Sequence, residues 1–347
     1  MTKKIRTVPL FKRIIFAASI TLTSSLALAA PLSFNDIFVF GDSLSDTGNT
    51  ASRALTGDPL FDPFIAAQGG FGNNGRFSNG PVWHEYLANS LGISPATNSE
   101  SGGNNFAFGG AVVDSAAGPT AGILNQEAQY DARLAGSSAN ASDLYITWAG
   151  GNDMRALTTV TDPIAAIAAI NAQLDSFVGV MSRLVANGVG TLLVPNLPNL
   201  GAIPEFAGSA AASAAATLAS KAWNAGLEQR LISLSATTSA SIFYFDVFGI
   251  FGSILENPSA NGFTNTEEQC RSVTFFVIEN ECANPNDFLF WDLIHPTTAA
   301  HKFLGREAFA LLASGNKVTV PEPAVIWLML LGIGAVAGRR AMVTKAA

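Results

Sequence analysis

Short apolar runs without alternation recur along the chain, separated by longer stretches of helical spacing. Ile37-Phe38-Val39-Phe40 stops at Gly41-Asp42-Ser43, and residues 143–148 stop at Ala149-Gly150-Gly151-Asn152-Asp153. Runs of this kind read as strands buried on both faces. Residues 191–194 and 241–247 (SIFYFDV) read as two more, and Asn105-Phe106-Ala107-Phe108 as a short strand or loop ending in Gly109-Gly110. Helical spacing covers residues 83–91, 123–134, 162–186, 209–233 and 297–312, with Pro163 well placed at a first helical position. Five strands separated by helices predict an α/β fold, a five-stranded parallel sheet in a three-layer α/β/α sandwich. Ligands in such sheets lie outside the carboxyl ends of the strands, where the two Gly/Asn/Asp/Ser clusters fall. The Gly/Asn/Phe-rich residues 57–80 have no period and read as an elaborated loop near that edge.

The two ends break this pattern. Lys3, Lys4, Arg6, Lys12 and Arg13 precede an apolar run that closes on Ala27-Leu28-Ala29, the layout of a secretory signal peptide over residues 1–29. The alternative is an uncleaved N-terminal anchor. At the other end, Val320-Pro321-Glu322-Pro323 is followed by apolar residues 324–338 and then Arg339-Arg340. Fifteen helical residues reach about 22 Å, short of a hydrocarbon core of roughly 30 Å. The order of parts in residues 320–347 resembles the PEP-CTERM sorting tail of Gram-negative bacteria, and a plain membrane anchor is its alternative. That resemblance implies processing by an exosortase-like enzyme, after signal peptidase at the N-terminus, and delivery to the cell surface or exopolysaccharide. The body, residues 30–319, is then exported to the periplasm, cell surface or beyond, and its chemistry works without cytosolic ATP or NAD.

Composition sharpens this reading by exclusion. Of 347 residues 48% are hydrophobic and only 13% charged, which excludes an intrinsically disordered chain. The net charge of -7 hides an asymmetry, because residues 14–321 hold 11 bases against 25 acids. A body so acidic, with no Lys/Arg cluster, repels phosphate backbones, so nucleic acid is excluded as a partner. Cys270 and Cys282 can form one bridge in an oxidising compartment, with two free buried thiols as the alternative. No Cys/His ligand spacing points to structural zinc or another metal.

Only three histidines are available as an imidazole base: His84, His295 and His301. His84-Glu85-Tyr86-Leu87-Ala88 opens like a zincin helix but has alanine where the second histidine belongs, which rejects a metalloprotease. His84 reads as a helix-surface or loop-packing residue, and His301 as structural or exposed. His295 differs, because Asp292 lies three residues upstream in Trp291-Asp292-Leu293-Ile294-His295-Pro296 and can hold its Nδ1–H. The nucleophile such a base needs is not in a Gly-x-Ser-x-Gly elbow, which is missing. Gly41-Asp42-Ser43-Leu44-Ser45, at the end of the first strand, offers the hydroxyl of Ser43 instead. Phe108-Gly109-Gly110 and Asn152 offer donors for a developing oxyanion.

At these residues the chain resembles the GDSL/SGNH hydrolase family, in its longer lipase-like branch. Gly41-Asp42-Ser43-Leu44-Ser45-Asp46-Thr47-Gly48-Asn49 is similar to the family's first block and Asn105–Ala111 to its second. Gly150-Gly151-Asn152-Asp153 is similar to the third, and Asp292–His295 to the last. The resemblance implies a flavodoxin-like SGNH fold with Ser43 as nucleophile, Asp292 as orienting acid and His295 as base. It makes Ser43, Gly110 and Asn152 the oxyanion-hole donors, with Gly109 the alternative to Gly110, and Asp42 and Asp153 architectural. The implied activity is hydrolysis of a small-molecule or lipid ester through an acyl-enzyme, with no cofactor. A carbohydrate acetyl esterase acting on exopolysaccharide is the runner-up. A non-catalytic surface or matrix protein on the same scaffold is the rival from another class, against which intact Ser43, Asn152 and His295 argue.

Overall fold

The computed structural model describes residues 32–54, 74–114, 121–274 and 277–319. The leader, the tail and most of the elaborated loop expected from the sequence lie outside them.

Four strands form a parallel sheet in the order β1-β2-β3-β4: β1 (Ile37–Gly41), β2 (Leu144–Trp148), β3 (Thr191–Pro195) and β4 (Ser241–Phe245). Phe40 is in register with Thr147, and Ile146 with Leu193. All five residues of β2 are buried, as a strand covered on both faces requires. The fifth expected strand is an extended edge segment rather than a regular strand. Val39 N–H donates to Asn104 O (3.0 Å), Phe106 N–H to Val39 O (2.7 Å) and Phe108 N–H to Gly41 O (3.2 Å). Its outer side pairs with residues 97–99 and with side chains. The Ala107 N–H is taken by Asn105 Oδ1 (2.9 Å), and Asn49 Nδ2 donates to the carbonyls of Asn105 and Ala107 (2.8 Å each). With that segment included, the order across the sheet is 2-1-3-4-5, the flavodoxin-like arrangement.

Helices cover both faces. After the short α1 (Asn49–Ala54), α2 (Trp83–Leu91) packs against the last helix, α8 (Thr298–Ser314). The approach is close enough that a Cβ on Gly305 would lie 2.7 Å from Trp83 O. On the other face α3 (Ile123–Leu134), α5 (Pro163–Ala186) and α6 (Ala210–Ser235) pack side by side, while α4 (Gly151–Leu157) follows β2 directly. Asp162 caps α5 by accepting from Ile164 N–H (2.9 Å), and Pro163 supplies a preset φ. Phe38, Phe40, Phe106, Tyr130 and Tyr145 interlock with ring centroids 5.0–5.9 Å apart. Such pairs contribute about 0.5–1.5 kcal/mol each beyond area burial, and here they lock α3 onto the edge that carries Ser43.

Two features depart from the sequence expectation. The strand expected to reach Val247 ends at Phe245, and Val247 opens helix α7 (Val247–Glu256). Asp246 marks the boundary, because its side chain accepts from Gly249 N–H (3.0 Å) as an N-cap. Beyond it, β5 (Asn265–Gln269) pairs in parallel with β8 (Phe288–Phe290), and β6 (Arg271–Thr274) pairs antiparallel with β7 (Val277–Glu281). A disulfide between Cys270 and Cys282 closes the base of the β6–β7 hairpin, where Cys282 N–H also donates to Cys270 O (2.7 Å).

Candidate active site

The site begins where β1 runs out. Gly41 leaves no room for a side chain, since a Cβ there would stand 2.9 Å from Trp148 O on the neighbouring strand. Both backbone polar groups of Gly41 are met by Gln126, whose Oε1 accepts from Gly41 N–H and whose Nε2 donates to Gly41 O (2.8 Å each). The chain then turns tightly. Asp42 O accepts from Ser45 and Asp46 N–H (3.0 and 3.1 Å), and Asp42 Oδ1 accepts from Leu44 N–H (3.0 Å). Ser43 sits at the apex, and its N–H has no hydrogen-bond partner among the described residues.

The following residues anchor this turn from beneath. The Asp46 carboxylate accepts from Gly48 and Asn49 N–H (2.8 and 2.7 Å), from the Thr50 hydroxyl (2.5 Å) and from Gly109 N–H (3.0 Å). The Ser45 hydroxyl accepts from Trp83 Nε1 (3.1 Å), and the Ser45 carbonyl accepts from Asn105 Nδ2 (2.6 Å). Asp46, Asn49 and Gln126 were not singled out by sequence reasoning. The first two lie inside the Gly41–Asn49 motif, whereas nothing in the sequence marks Gln126.

From the other side of the sequence, the loop after β8 brings in Asp292 and His295. Asp292 Oδ1 accepts from the N–H groups of Ile294 (2.8 Å) and His295 (2.7 Å), which folds the loop around the carboxylate. The His295 ring lies with Nδ1 2.7 Å from Asp292 Oδ2 and Nε2 2.7 Å from the Ser43 hydroxyl. The carboxylate can only accept, so it assigns the proton to Nδ1 and leaves the Nε2 lone pair facing the serine. Phe77 packs on the imidazole with ring centroids 5.2 Å apart, and the Ser78 hydroxyl donates to Pro296 O (2.9 Å). Ser43, Asp292 and His295 are all buried.

Of the other expected donors, Asn152 lines the same cleft as Ser43. The Gly109 N–H is already engaged by Asp46 and by Thr50 Oγ1 (2.7 Å), whereas the Gly110 N–H has no partner among the described residues. Gly110 also has φ +74°, a conformation that costs an L side chain strain. Asn152, in the first turn of α4, donates one Nδ2–H to Ala111 O (2.9 Å) and accepts at Oδ1 from Arg155 Nη1 (3.2 Å), so its second N–H is uncommitted. Arg155 in turn forms a two-point ion pair with Glu205 (2.7 and 2.6 Å). Neither member of that pair was predicted, since 50 residues separate them and no local pattern links them.

Asp42 and Asp153 are buried carboxyl groups. Burial pushes Asp42 up to about 6, against the backbone N–H of Leu44 and the positive field of Arg155. It does the same to Asp153, to about 6, helped by the charges of Asp42 and Asp114. The remaining histidines are interior residues. His84 is fully buried with Nε2 2.9 Å from Ser45 O, so of its two expected readings it packs against a loop and is not a helix-surface residue. His301 is 1% exposed and accepts from Trp83 N–H at Nδ1 (3.3 Å). Burial pushes it down to about 3, so it is neutral. Among the described residues no three His, Cys, Asp or Glu side chains converge as metal ligands.

A cleft opens to solvent over Ser43 and Asn152. Its walls are apolar, with Leu44, Leu197, Leu200, Ile203, Phe251 and Ile294 prominent. A hydroxyl, an imidazole and a carboxylate in one hydrogen-bonded line, at the carboxyl edge of a parallel sheet, is the geometry of a serine hydrolase. The model of the GDSL-like lipase/acylhydrolase family matches residues 37–308, and the chain belongs to that family. It is a carboxylic ester hydrolase with an SGNH-type fold.

Two relatives are similar over most of their own length. The phosphatidylcholine-sterol acyltransferase of Aeromonas hydrophila is 27% identical over 340 residues, covering 85% of this chain and 95% of the relative. The thermolabile hemolysin of Vibrio parahaemolyticus is 26% identical over 322 residues, covering 87% and 69%. Two solved structures also align. The native aryl esterase of M. smegmatis does so at TM-score 0.41 and 16% identity, covering 81% of this chain and 97% of its own. An acetylxylan esterase from Geobacillus stearothermophilus gives TM-score 0.41 at 13% identity, covering 82% and 96%.

Proposed function

We propose that this chain is an exported serine esterase or lipase that hydrolyses carboxylic esters through an acyl-enzyme on Ser43. One observation carries the reading: the 2.7 Å contact between Ser43 Oγ and His295 Nε2, in line with Asp292, at the floor of an apolar cleft. Ser43 Oγ attacks the ester carbonyl while His295 Nε2 takes its proton and Asp292 holds the imidazolium. The negative charge that develops on the carbonyl oxygen is met by the Ser43 and Gly110 N–H groups and the uncommitted N–H of Asn152. Collapse breaks the C–O bond, and His295 returns the proton to the departing alcohol. Water then repeats the sequence on the acyl-serine, releasing the carboxylic acid and restoring the hydroxyl.

The cleft walls favour an acyl chain over acetate. The relative named as acting on phosphatidylcholine, matched over nearly its whole length, points the same way, toward lipid esters. In this reading residues 1–29 are removed by signal peptidase, residues 30–319 are the hydrolase, and residues 320–347 are a tail handled by an exosortase-like enzyme at the cell surface.

Ser43→Ala is expected to abolish hydrolysis of p-nitrophenyl butyrate while leaving the circular dichroism spectrum unchanged, and a fluorophosphonate probe should label the parent chain only. Turnover by Ser43→Ala at the parent rate would overturn the assignment. Turnover restricted to acetyl esters across a graded panel would instead favour a deacetylase of exopolysaccharide.

A further inference from the structure

The amide of Asn152 can occupy its position in two ways, related by a half-turn about its terminal torsion. Only one of them aims an N–H at a developing oxyanion. The other would present Oδ1, a negative dipole, to a negative charge.

The surroundings select the first from both sides. Nδ2 donates to Ala111 O at 2.9 Å, and Oδ1 accepts from Arg155 Nη1 at 3.2 Å. A flipped amide would set oxygen against oxygen at Ala111 and NH₂ against guanidinium at Arg155, losing both bonds. Arg155 is itself held in place. Its Nε and Nη2 meet Glu205 Oε2 and Oε1 at 2.7 and 2.6 Å, the fork geometry that fixes a guanidinium in its plane. Glu205 is tied by its backbone N–H to Leu293 O at 2.9 Å, and Leu293 lies between Asp292 and His295. One ion pair therefore spans from the oxyanion donor on α4 to the loop that carries acid and base. Arg155 also lines the cleft.

We propose that Arg155, clamped by Glu205, is a positioning residue that holds the Asn152 amide in its donating orientation and couples it to the Asp292–His295 loop. This rests on the acyl-enzyme reading of Ser43. The charge of the clamp is balanced within itself, so what it supplies is orientation and polarisation of one amide rather than a second anion site.

The test uses the full chain, p-nitrophenyl butyrate and a double-mutant cycle. Removing an oxyanion donor costs about 10²–10³ in kcat, and misorienting one is expected to cost about 10–100-fold, with KM changed by no more than about 2-fold. Arg155→Met should show that loss, and Arg155→Lys, which can still reach Oδ1 but not fork onto Glu205, should fall between it and the parent. In an Asn152→Ala background the same Arg155→Met change should cost no more than about 2-fold, because the group it acts through is gone. Should Arg155→Met not fold, Glu205→Gln takes its place, with a smaller loss of kcat that likewise vanishes beside Asn152→Ala. A parent-like kcat in Arg155→Met, or a loss of equal size with and without Asn152, would overturn the proposal. If Ser43→Ala is inert while the Arg155 variant is unimpaired, only the clamp fails. If Ser43→Ala turns over, the catalytic reading fails first.

Discussion

Single residues set the terms on which the interior tolerates charge, and they pull stability in opposite directions as pH changes. His301, pushed down to about 3 by burial, takes a proton far less readily folded than unfolded. The unfolded chain therefore binds more protons, and stability is lost as pH falls from about 6.5 toward 3. His84 is shifted the same way, by burial first. Asp42 and Asp153, lifted to about 6, act in reverse: the folded chain binds their protons more tightly, so stability drops as pH rises from about 4 to about 6. His301→Asn keeps an acceptor for the Trp83 N–H but removes one titration. Unfolding free energies from urea titrations between pH 4 and 6 are expected to fall less steeply with acid in this variant, by up to about 1.4 kcal/mol per pH unit. An unchanged slope would place the acid sensitivity elsewhere.

At this scale the side chains that meet at the site were legible, because serine, histidine, aspartate and glycine at strand ends advertise their chemistry. Their supports were not. Gln126 divides its side chain between the backbone of Gly41 and Ala121 O, and Arg155 reaches Glu205 across 50 positions. Such contacts are made by folding, and neither composition nor spacing encodes them.

Among elements, legibility followed the strength of the periodic signal. The helices at 83–91 and 123–134 stand where their spacing put them, and β1 to β4 begin and end within two residues of the apolar runs. Helix α7 was hidden because SIFYFDVFGIF is apolar throughout, so neither a period of two nor one of 3.6 emerges, and only Asp246 marks the change. The strands Asn265–Gln269 (NTEEQ) and Arg271–Thr274 (RSVT) were hidden for the opposite reason, having almost no apolar content to show a face.

That polar excursion nonetheless bears on the site. Cys270 N–H donates to Phe290 O (3.0 Å) and Arg271 N–H to Trp291 O (2.7 Å), pinning the strand that leads into Asp292. Replacing both cysteines by serine is expected to cost about 3 kcal/mol of stability, the chain-entropy value for a loop of this length. It should also lower kcat more than it raises KM, since the acid–base loop loses its anchor. Calorimetry beside ester kinetics would check both, and a variant as active and as stable as the parent would show the hairpin to be decoration.

For the molecule as a whole, a sheet closed on both faces leaves one edge at which chemistry can happen, and the apolar cleft at that edge decides what enters. Leu200 and Phe251 line it from segments that follow β3 and β4 respectively. Leu200→Trp should remove activity on long-chain p-nitrophenyl esters first, leaving kcat/KM for acetate and butyrate close to the parent. Equal loss at every chain length would mean the acyl group lies elsewhere. The fold class was legible at this scale, but the cleft was not, because its walls are gathered from strands, helices and loops far apart in the chain.

Ser43 leaves the first strand, whereas the base proposed to activate it stands just ahead of the last described helix. A ribosome-bound or truncated polypeptide that stops short of position 295 thus holds an alcohol no more reactive than any other serine. The activity proposed for Ser43 therefore arises only once position 295 has been made and folded back onto the first strand.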